Sequence, residues 1–268
     1  MSTPLSVFVT TFNNARTLDF CLESVKWADE IVVLDSFSTD DTEAIARRHH
    51  CVFFQHRFLG YGPQKQMALE HTRHRWVLLL DADEVLSPAA QAEIRALLTR
   101  GPQGAGYTLP RQEQVFWKMA DRGVRMNHFL RLFDKTCGRV SDMPIHASPR
   151  VDGEVRRLKA PFYHFGETSV HVKVEKINHY STGLVIDKQA RGKRGNPWIT
   201  VFYPPLVFLR SYFFKRYFLD GWAGFFNSVS MAYYAFLKYA KLHEAERTGG
   251  SPPDPVTLMA AEDPSARH

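Results

Sequence analysis

The chain has 268 residues, 44% of them hydrophobic and 23% charged, which suits one medium domain with an appendage and excludes a disordered or low-complexity protein. Its net charge of +6 favours anionic partners, whether nucleotide phosphates, nucleic acid or an acidic membrane surface. Cys21, Cys51 and Cys137 are too scattered for a disulfide framework or a zinc finger, so a reducing cytosol is expected.

The N-terminal stretch MSTPLSVFVTTFNN lacks the basic start and long apolar run of a secretory signal. Leu5–Thr10 reads as a buried strand, and Thr17 as the cap of a helix with Leu18, Cys21, Leu22 and Val25 on one face. A strand at Ile31–Leu34, a helix through Thr42–Arg48 with Ile45 inward, and a strand at Val52–Gln55 follow. Pro63 suits the start of a helix carrying Met67 and Leu69. Trp76–Leu80 is a wholly apolar strand, and Ser87-Pro88 caps a helix carrying Ile94, Leu97 and Leu98. Strand and helix alternating at this spacing predict a parallel sheet with helices on both faces.

From Gly101 shorter mixed strands are expected at Tyr107–Pro110, Phe129–Phe133 and Glu154–Leu158. Thr168–Ala190 reads as a helix with Val174, Ile177, Tyr180 and Leu184 on one face. Beyond the basic Lys188–Arg194 cluster, Pro204 and Pro205 break an aromatic stretch that Arg210, Lys215, Arg216 and Asp220 punctuate. No run reaches the ~18 apolar residues of a spanning helix. Aromatics interleaved with Lys and Arg fit a helix lying in a membrane interface, or a helical pair filling core. The predicted organisation is a catalytic domain at 1–165, with halves at about 1–100 and 101–165, a helical extension at 166–247, and a disordered tail at 248–268.

Four motifs carry chemistry. Asp81-Ala82-Asp83-Glu84 follows the strand WVLLL, at the carboxyl edge where open α/β sheets bind ligands. Carboxylates on alternate residues there suit Mg²⁺ or Mn²⁺ bridging a diphosphate; the plainer reading is a solvated acidic turn capping the next helix. Asp35, in LDSFSTDDT, ends a second strand and is placed to accept hydrogen bonds from a base or ribose, with Ser38 and Asp41 as caps. Thr10, Thr11, Phe12, Asn13 and Asn14 end the first strand and offer a rim for a nucleoside. Lys65, in GYGPQKQ, sits in a first helical turn where a bound anion would offset its clash with the macrodipole; solvated surface lysine is the alternative.

In this order and at these intervals the four motifs resemble the nucleotide-binding half of family 2 glycosyltransferases of the GT-A fold. The segment HFLRLFDK…DMPIHASPRVDGEVRRLKAPFYHF…VEKINHYS is similar to a narrower branch, the bacterial lipopolysaccharide-core glucosyltransferase-like proteins. The resemblance implies a metal-dependent, inverting transfer of a hexose, often from UDP-glucose, to a glycan or glycolipid acceptor. Thr11, Asn13 and Asp35 would hold the nucleoside, with Thr10 and Ala82 in the same nucleotide-sugar set. Lys65 would lie near the nucleotide, Asp81 at the ribose or the metal's water shell, and Asp83 on the metal.

Asn14 departs from an acidic residue common in the family, and His146-Ala147 from a His-Glu pair. Inverting transfer needs a general base near the acceptor hydroxyl. Ala147 cannot serve, and the candidates are Asp142 and His146, with Asp134 or Glu113 behind them. Asp142 is favoured as base, with His146 as metal ligand or acceptor contact, or else a loop histidine satisfied by local hydrogen bonds. Lys65, Arg125 and Arg131 are candidate cations for the departing diphosphate, Arg131 alternatively being an outward-facing strand residue.

The expectation is thus a cytoplasmic enzyme, peripheral on the inner face of a bacterial inner membrane. A non-catalytic nucleotide-sugar-binding or regulatory protein of the same fold is the alternative. Nucleic acid is not an expected partner, since no helix-turn-helix, zinc or RNA-binding motif is present. TTFNNARTL also lacks the Gly-rich loop of a nucleotidyltransferase.

Overall fold

A computed structural model describes residues 2–141, 148–190, 192, 194–251 and 254. The chain divides into two compact units, one of residues 1–114 and 126–166, the other of 115–125 and 167–268.

The first unit runs β1 (Leu5–Thr11), α1 (Ala15–Glu23), β2 (Glu30–Asp35), α2 (Thr42–Arg48), β3 (Val52–Gln55), α3 (Tyr61–Glu70), β4 (Trp76–Asp81), β5 (Glu84–Leu86), α4 (Pro88–Arg100) and β6 (Gly106–Val115). After β7 (Lys118–Met119), which falls in the second unit, it resumes with β8 (Asn127–Asp134), β9 (Gly138–Val140), β10 (Pro149–Val151), β11 (Val155–Arg157) and β12 (Phe162–His164).

β3, β2, β1 and β4 are parallel neighbours. Beyond β4 the sheet becomes mixed, in keeping with the mixed strands expected after Gly101: β8 runs antiparallel to both β4 and β6, and the order continues through β12 to β5, itself antiparallel to β12. The sheet is therefore mixed α/β of GT-A type. Strand periodicity reveals a strand but not its direction, which here follows from the return of a long hairpin to β4.

Continuous apolar strands arise because both faces of the sheet are covered. Val7, Val9, Leu78 and Leu80 pack with Leu18, Leu22, Ile45 and Ile94 of α1, α2 and α4. The alternate residues Phe8, Val77 and Leu79 pack on the other face with Ala68 and Leu69 of α3. Phe8 meets Phe133 edge to face, at 6.2 Å between ring centres, and burying such a ring contributes about 1.5–3 kcal/mol.

Local signals held unevenly. Ser87 Oγ accepts the Ala90 N–H at 3.1 Å, as a cap should. Thr17, by contrast, lies inside α1 and its hydroxyl donates to Asn14 at 2.6 Å, so the predicted cap is corrected to Asn14. Asp41 stands at the N-cap of α2, as expected, but neither its side chain nor that of Ser38 makes the cap hydrogen bond: Asp40 accepts the N–H of Thr42 at 3.1 Å and of Ala15 at 3.0 Å, tying two helix starts together.

The second unit comprises α5 (Val170–Ala190), α6 (Pro197–Leu209), a widened turn at Arg210–Phe214, a tight turn at Tyr217–Asp220 and α7 (Gly221–Thr248). The buried face of α5 is Lys173, Ile177, Ser181 and Val185 rather than the expected stripe, for Val174 and Tyr180 are exposed. The polar members of that face are satisfied locally, Ser181 donating to the Asn178 carbonyl and Lys173 pairing with Glu167. Pro204 and Pro205 do not break the chain, since α6 runs through both. No residue of α6 is fully buried, so water can reach the carbonyls whose donors are missing. Gly224 lets α7 pass the preceding turn, because a Cβ there would lie 1.8 Å from the Tyr217 carbonyl oxygen. The predicted tail lies almost wholly outside the described residues.

Candidate active site

Parallel register aligns the carboxyl ends of the first strands. Thr11 pairs with Asp35 and Asp35 with Gln55, while Thr10 stands opposite Asp81. Asp35 is fully buried, and its carboxylate accepts the Ser38 N–H at 2.8 Å, the Ser38 hydroxyl at 2.5 Å and the Gln55 amide at 3.1 Å. It organises the loop after β2 rather than presenting free oxygens. Asn13, at a φ of 47°, braces the same loop: its N–H donates to Ser38 Oγ and its side-chain oxygen accepts the Thr39 N–H, both at 2.8 Å. Among the described residues no group bonds the buried Thr11 hydroxyl oxygen. Phe12 and Phe37 stand exposed beside these loops.

The end of β4 is a charged cluster, not a solvated acidic turn. Asp81 pairs with Lys65 at 2.5 Å and lies 3.4 Å from Arg131. Burial would raise the Asp81 carboxyl, yet the Lys65 and Arg131 charges outweigh burial and hold it well below the usual carboxylate range. Lys65 is buried, which rules out the solvated alternative, and Arg131 points inward to Glu84 rather than to solvent. Glu84 has no solvent exposure and also accepts the Asp81 N–H at 3.1 Å. Burial pushes its carboxyl up while Arg131 pulls against the rise. Ala82 is buried beneath the pair.

A histidine missed by sequence reading completes the site. β12 inserts between β5 and β6, with His164 in register with Glu84 on one side and Glu113 on the other. His164 Nδ1 lies 2.6 Å from Glu113, and Nε2 lies 3.4 Å from Asp83. Burial pulls the imidazole down, but hydrogen bonds to Asp83 and Glu113 prevail and push its pKa up to about 10. Glu113 also accepts Arg111 Nε at 2.7 Å. Burial would raise its carboxyl, and the bond to His164 with the Arg111 charge holds it below its ordinary value. The Phe165 N–H donates to the Asp83 carbonyl at 2.9 Å, fixing the strand end. Gly166 leaves room for the ring, since a Cβ there would meet His164 Cε1 at 2.5 Å.

Of the other candidates, Asp142 and His146 lie outside the described residues. Asp134 faces Trp76 at the amino-terminal end of β4, bonded to Arg75 at 2.7 Å, and so stands at the wrong end of the strand for a base. Arg125 falls in the second unit, where its N–H donates to the Lys215 carbonyl. Only the FYH of APFYHF marks β12 in sequence, and three residues show no periodicity.

Acidic side chains paired by buried cations at the carboxyl edge of a sheet suit recognition of a phosphorylated ligand. The family model for glycosyl transferase family 2 matches residues 6–148. The lipopolysaccharide core biosynthesis glycosyltransferase LpsC of Rhizobium meliloti is 32% identical over 250 residues, covering 90% of this chain and 92% of LpsC. An uncharacterized glycosyltransferase of Rickettsia felis is 31% identical over 255 residues, covering 90% of each. Among solved structures, S. aureus TarS 1-349 aligns over 92% of both chains at 14% identity and a TM-score of 0.46. With a family match over half its length and relatives above 30% identity along nearly all of it, the chain belongs to glycosyl transferase family 2.

Proposed function

We propose that this glycosyltransferase moves a hexose, glucose in the first instance, from a nucleoside-diphosphate sugar, with uridine as the expected base, to a glycan or glycolipid of lipopolysaccharide-core type. The observation that carries the reading is the cluster at the end of β4, where Asp83 faces His164 and Asp81 is gripped by Lys65 and Arg131. The similarity to LpsC supports the acceptor class.

Asp83 is the residue that would hold Mg²⁺ or Mn²⁺, joined by His164 only once its imidazolium gives up the Nε2 proton that faces Asp83. Among the described residues no group of three His, Cys, Asp or Glu donors forms. Two donors nevertheless suit a cation whose remaining ligands are phosphate oxygens and water, so the donor set fits. Such a cation supplies charge neutralisation at the departing diphosphate. Asp81, with both oxygens engaged by cations, serves better as the anchor of Lys65 and Arg131 than as a second ligand. Lys65 and Arg131 place positive charge beside the same strand end. The buried Thr11 hydroxyl oxygen lacks a hydrogen-bond partner among the described residues, and Asp35 and Asn13 shape the neighbouring loop. Glu113 orients His164 through Nδ1, a task that an ionised carboxylate performs better than proton abstraction. The base is assigned to Asp142 by its place four residues before His146.

The test is a screen of UDP-, GDP- and ADP-sugars with Mn²⁺ or Mg²⁺, reading released nucleotide. Turnover with a UDP-hexose and its loss on adding chelator are expected. Turnover unaffected by chelator would remove the metal, and no turnover with any donor would favour the non-catalytic alternative. Glu113→Gln is expected to weaken Mn²⁺ binding about 10–100-fold, measured by electron paramagnetic resonance of the free ion, with Glu113→Asp restoring part of it. Unchanged Mn²⁺ affinity would leave Glu113 a merely structural role.

A further inference from the structure

The helical unit displays an ordered apolar face. Along α6, Trp198, Phe202, Leu206 and Leu209 recur at steps of four, four and three and are all exposed. Along α7, Trp222, Phe226, Val229, Tyr233 and Phe236 do the same at steps of four and three. Phe213 and Phe214, in the intervening turn, are exposed as well, and Trp198, Phe214 and Trp222 are each 68–69% exposed. These are not leftovers of a loose core, because a separate inner set holds the helices together. Phe208 packs on Phe225 at 5.8 Å and on Tyr212 at 5.4 Å, and Tyr212 meets Phe225 at 5.9 Å. An apolar surface of this extent marks an interaction site.

Charge selects the occupant. Between Lys188 and Lys241 the sequence holds nine lysines and arginines and a single acid, Asp220. That acid is withdrawn from the surface: it is buried, paired with Lys118 at 2.8 Å, and accepts the Asp121 N–H at 2.9 Å. A second copy would bring like charge against like across a two-fold axis, whereas an anionic lipid surface complements it. The aromatic content, 16 of the 42 residues from Trp198 to Tyr239, is that of a segment at the headgroup boundary. No helix among the described residues is long and apolar enough to cross a membrane, which leaves an in-plane position.

We propose that the outer face of α6, the turns at 210–220 and the first half of α7 lies in the surface of an anionic bilayer. Its rings enter the headgroup–acyl boundary, and Arg210 and Arg216, both exposed, meet lipid phosphates. This stands independently of the donor and acceptor assigned above.

The experiment is sedimentation of the full chain with vesicles of phosphatidylethanolamine containing about one-third phosphatidylglycerol, against pure phosphatidylcholine. Binding at least about tenfold stronger to the anionic vesicles is expected, with a blue shift of tryptophan emission. Phe202→Asp and Phe214→Asp should each weaken binding about tenfold or more. Arg210→Glu and Arg216→Glu should weaken it about fivefold per unit of charge on anionic vesicles alone. Because a substitution can unfold the unit, quenching of the unmodified chain's tryptophans by brominated lipid gives a second reading. Absence of both sedimentation and quenching at low salt would overturn the proposal. So would a lipid-free dimer that shields Trp198 and Trp222, which would assign the face to a second copy.

Discussion

An Asp83→Ala variant is expected to lose about 10²–10³-fold in kcat while remaining folded. Asp83 is partly exposed, and its backbone carbonyl, which receives the Phe165 N–H, survives the substitution. His164 keeps its Glu113 partner at 2.6 Å, so no buried group is stranded, and a stability change within about 1 kcal/mol follows. The loss should fall on kcat rather than on nucleotide affinity alone, because charge builds on the diphosphate only as the sugar departs. Asp83→Asn should be nearly as inactive, since it keeps the shape and removes the charge. The measurement is released nucleotide under saturating donor, beside a thermal unfolding curve. A folded Asp83→Ala enzyme retaining a tenth of wild-type turnover would remove Asp83 from the site.

Glu84→Ala should do the opposite, acting first on stability. Glu84 has no solvent exposure and is the nearest partner of the buried Arg131, with Arg111 a further 3.8 Å contact. Removing it leaves a guanidinium in a low-dielectric interior with Asp81, at 3.4 Å, and the more distant Asp83 to offset it. Breaking such a pair costs about 3–5 kcal/mol, or roughly 6–20 °C in Tm. The Asp81 N–H loses its acceptor as well. A Glu84→Leu/Arg131→Met double variant tests the cause, since replacing both charges by apolar groups is often neutral or better. Recovery of most of the lost stability, without recovery of turnover, is the expected result. If the double variant is no more stable than Glu84→Ala, the cost lies in packing and not in an unpaired charge.

The acidic end of β4 was legible because two local rules agree there. WVLLL can only be a strand buried on both faces, and DADE must then emerge at its carboxyl end. Asp81 and Asp83 are thereby placed at the sheet edge, and the three other motifs set them apart from a capping turn. Arg131 was harder, for an arginine flanked by apolar residues on a strand reads equally well facing in or out. Its direction depends on Glu84, which lies 47 residues away. Lys65 shows the same limit: no feature of GYGPQKQ says that the lysine is buried, because the group that makes burial tolerable is the Asp81 carboxylate on another strand. His164 escaped notice because β5 and β12 have three residues each, too few for a pattern.

Residue order alone was enough for the alternation of strands and helices, the two-sided core of the first unit, the acidic strand end and the family, since each rests on spacing within a short window. Pairing across long separations settled the rest: the reversal of β8, the inward turn of Arg131 and Lys65, the seat of His164 between Asp83 and Glu113, and the withdrawal of Asp220 onto Lys118. A buried charge is stable only against its counterion, and only the folded chain says which counterion stands beside it.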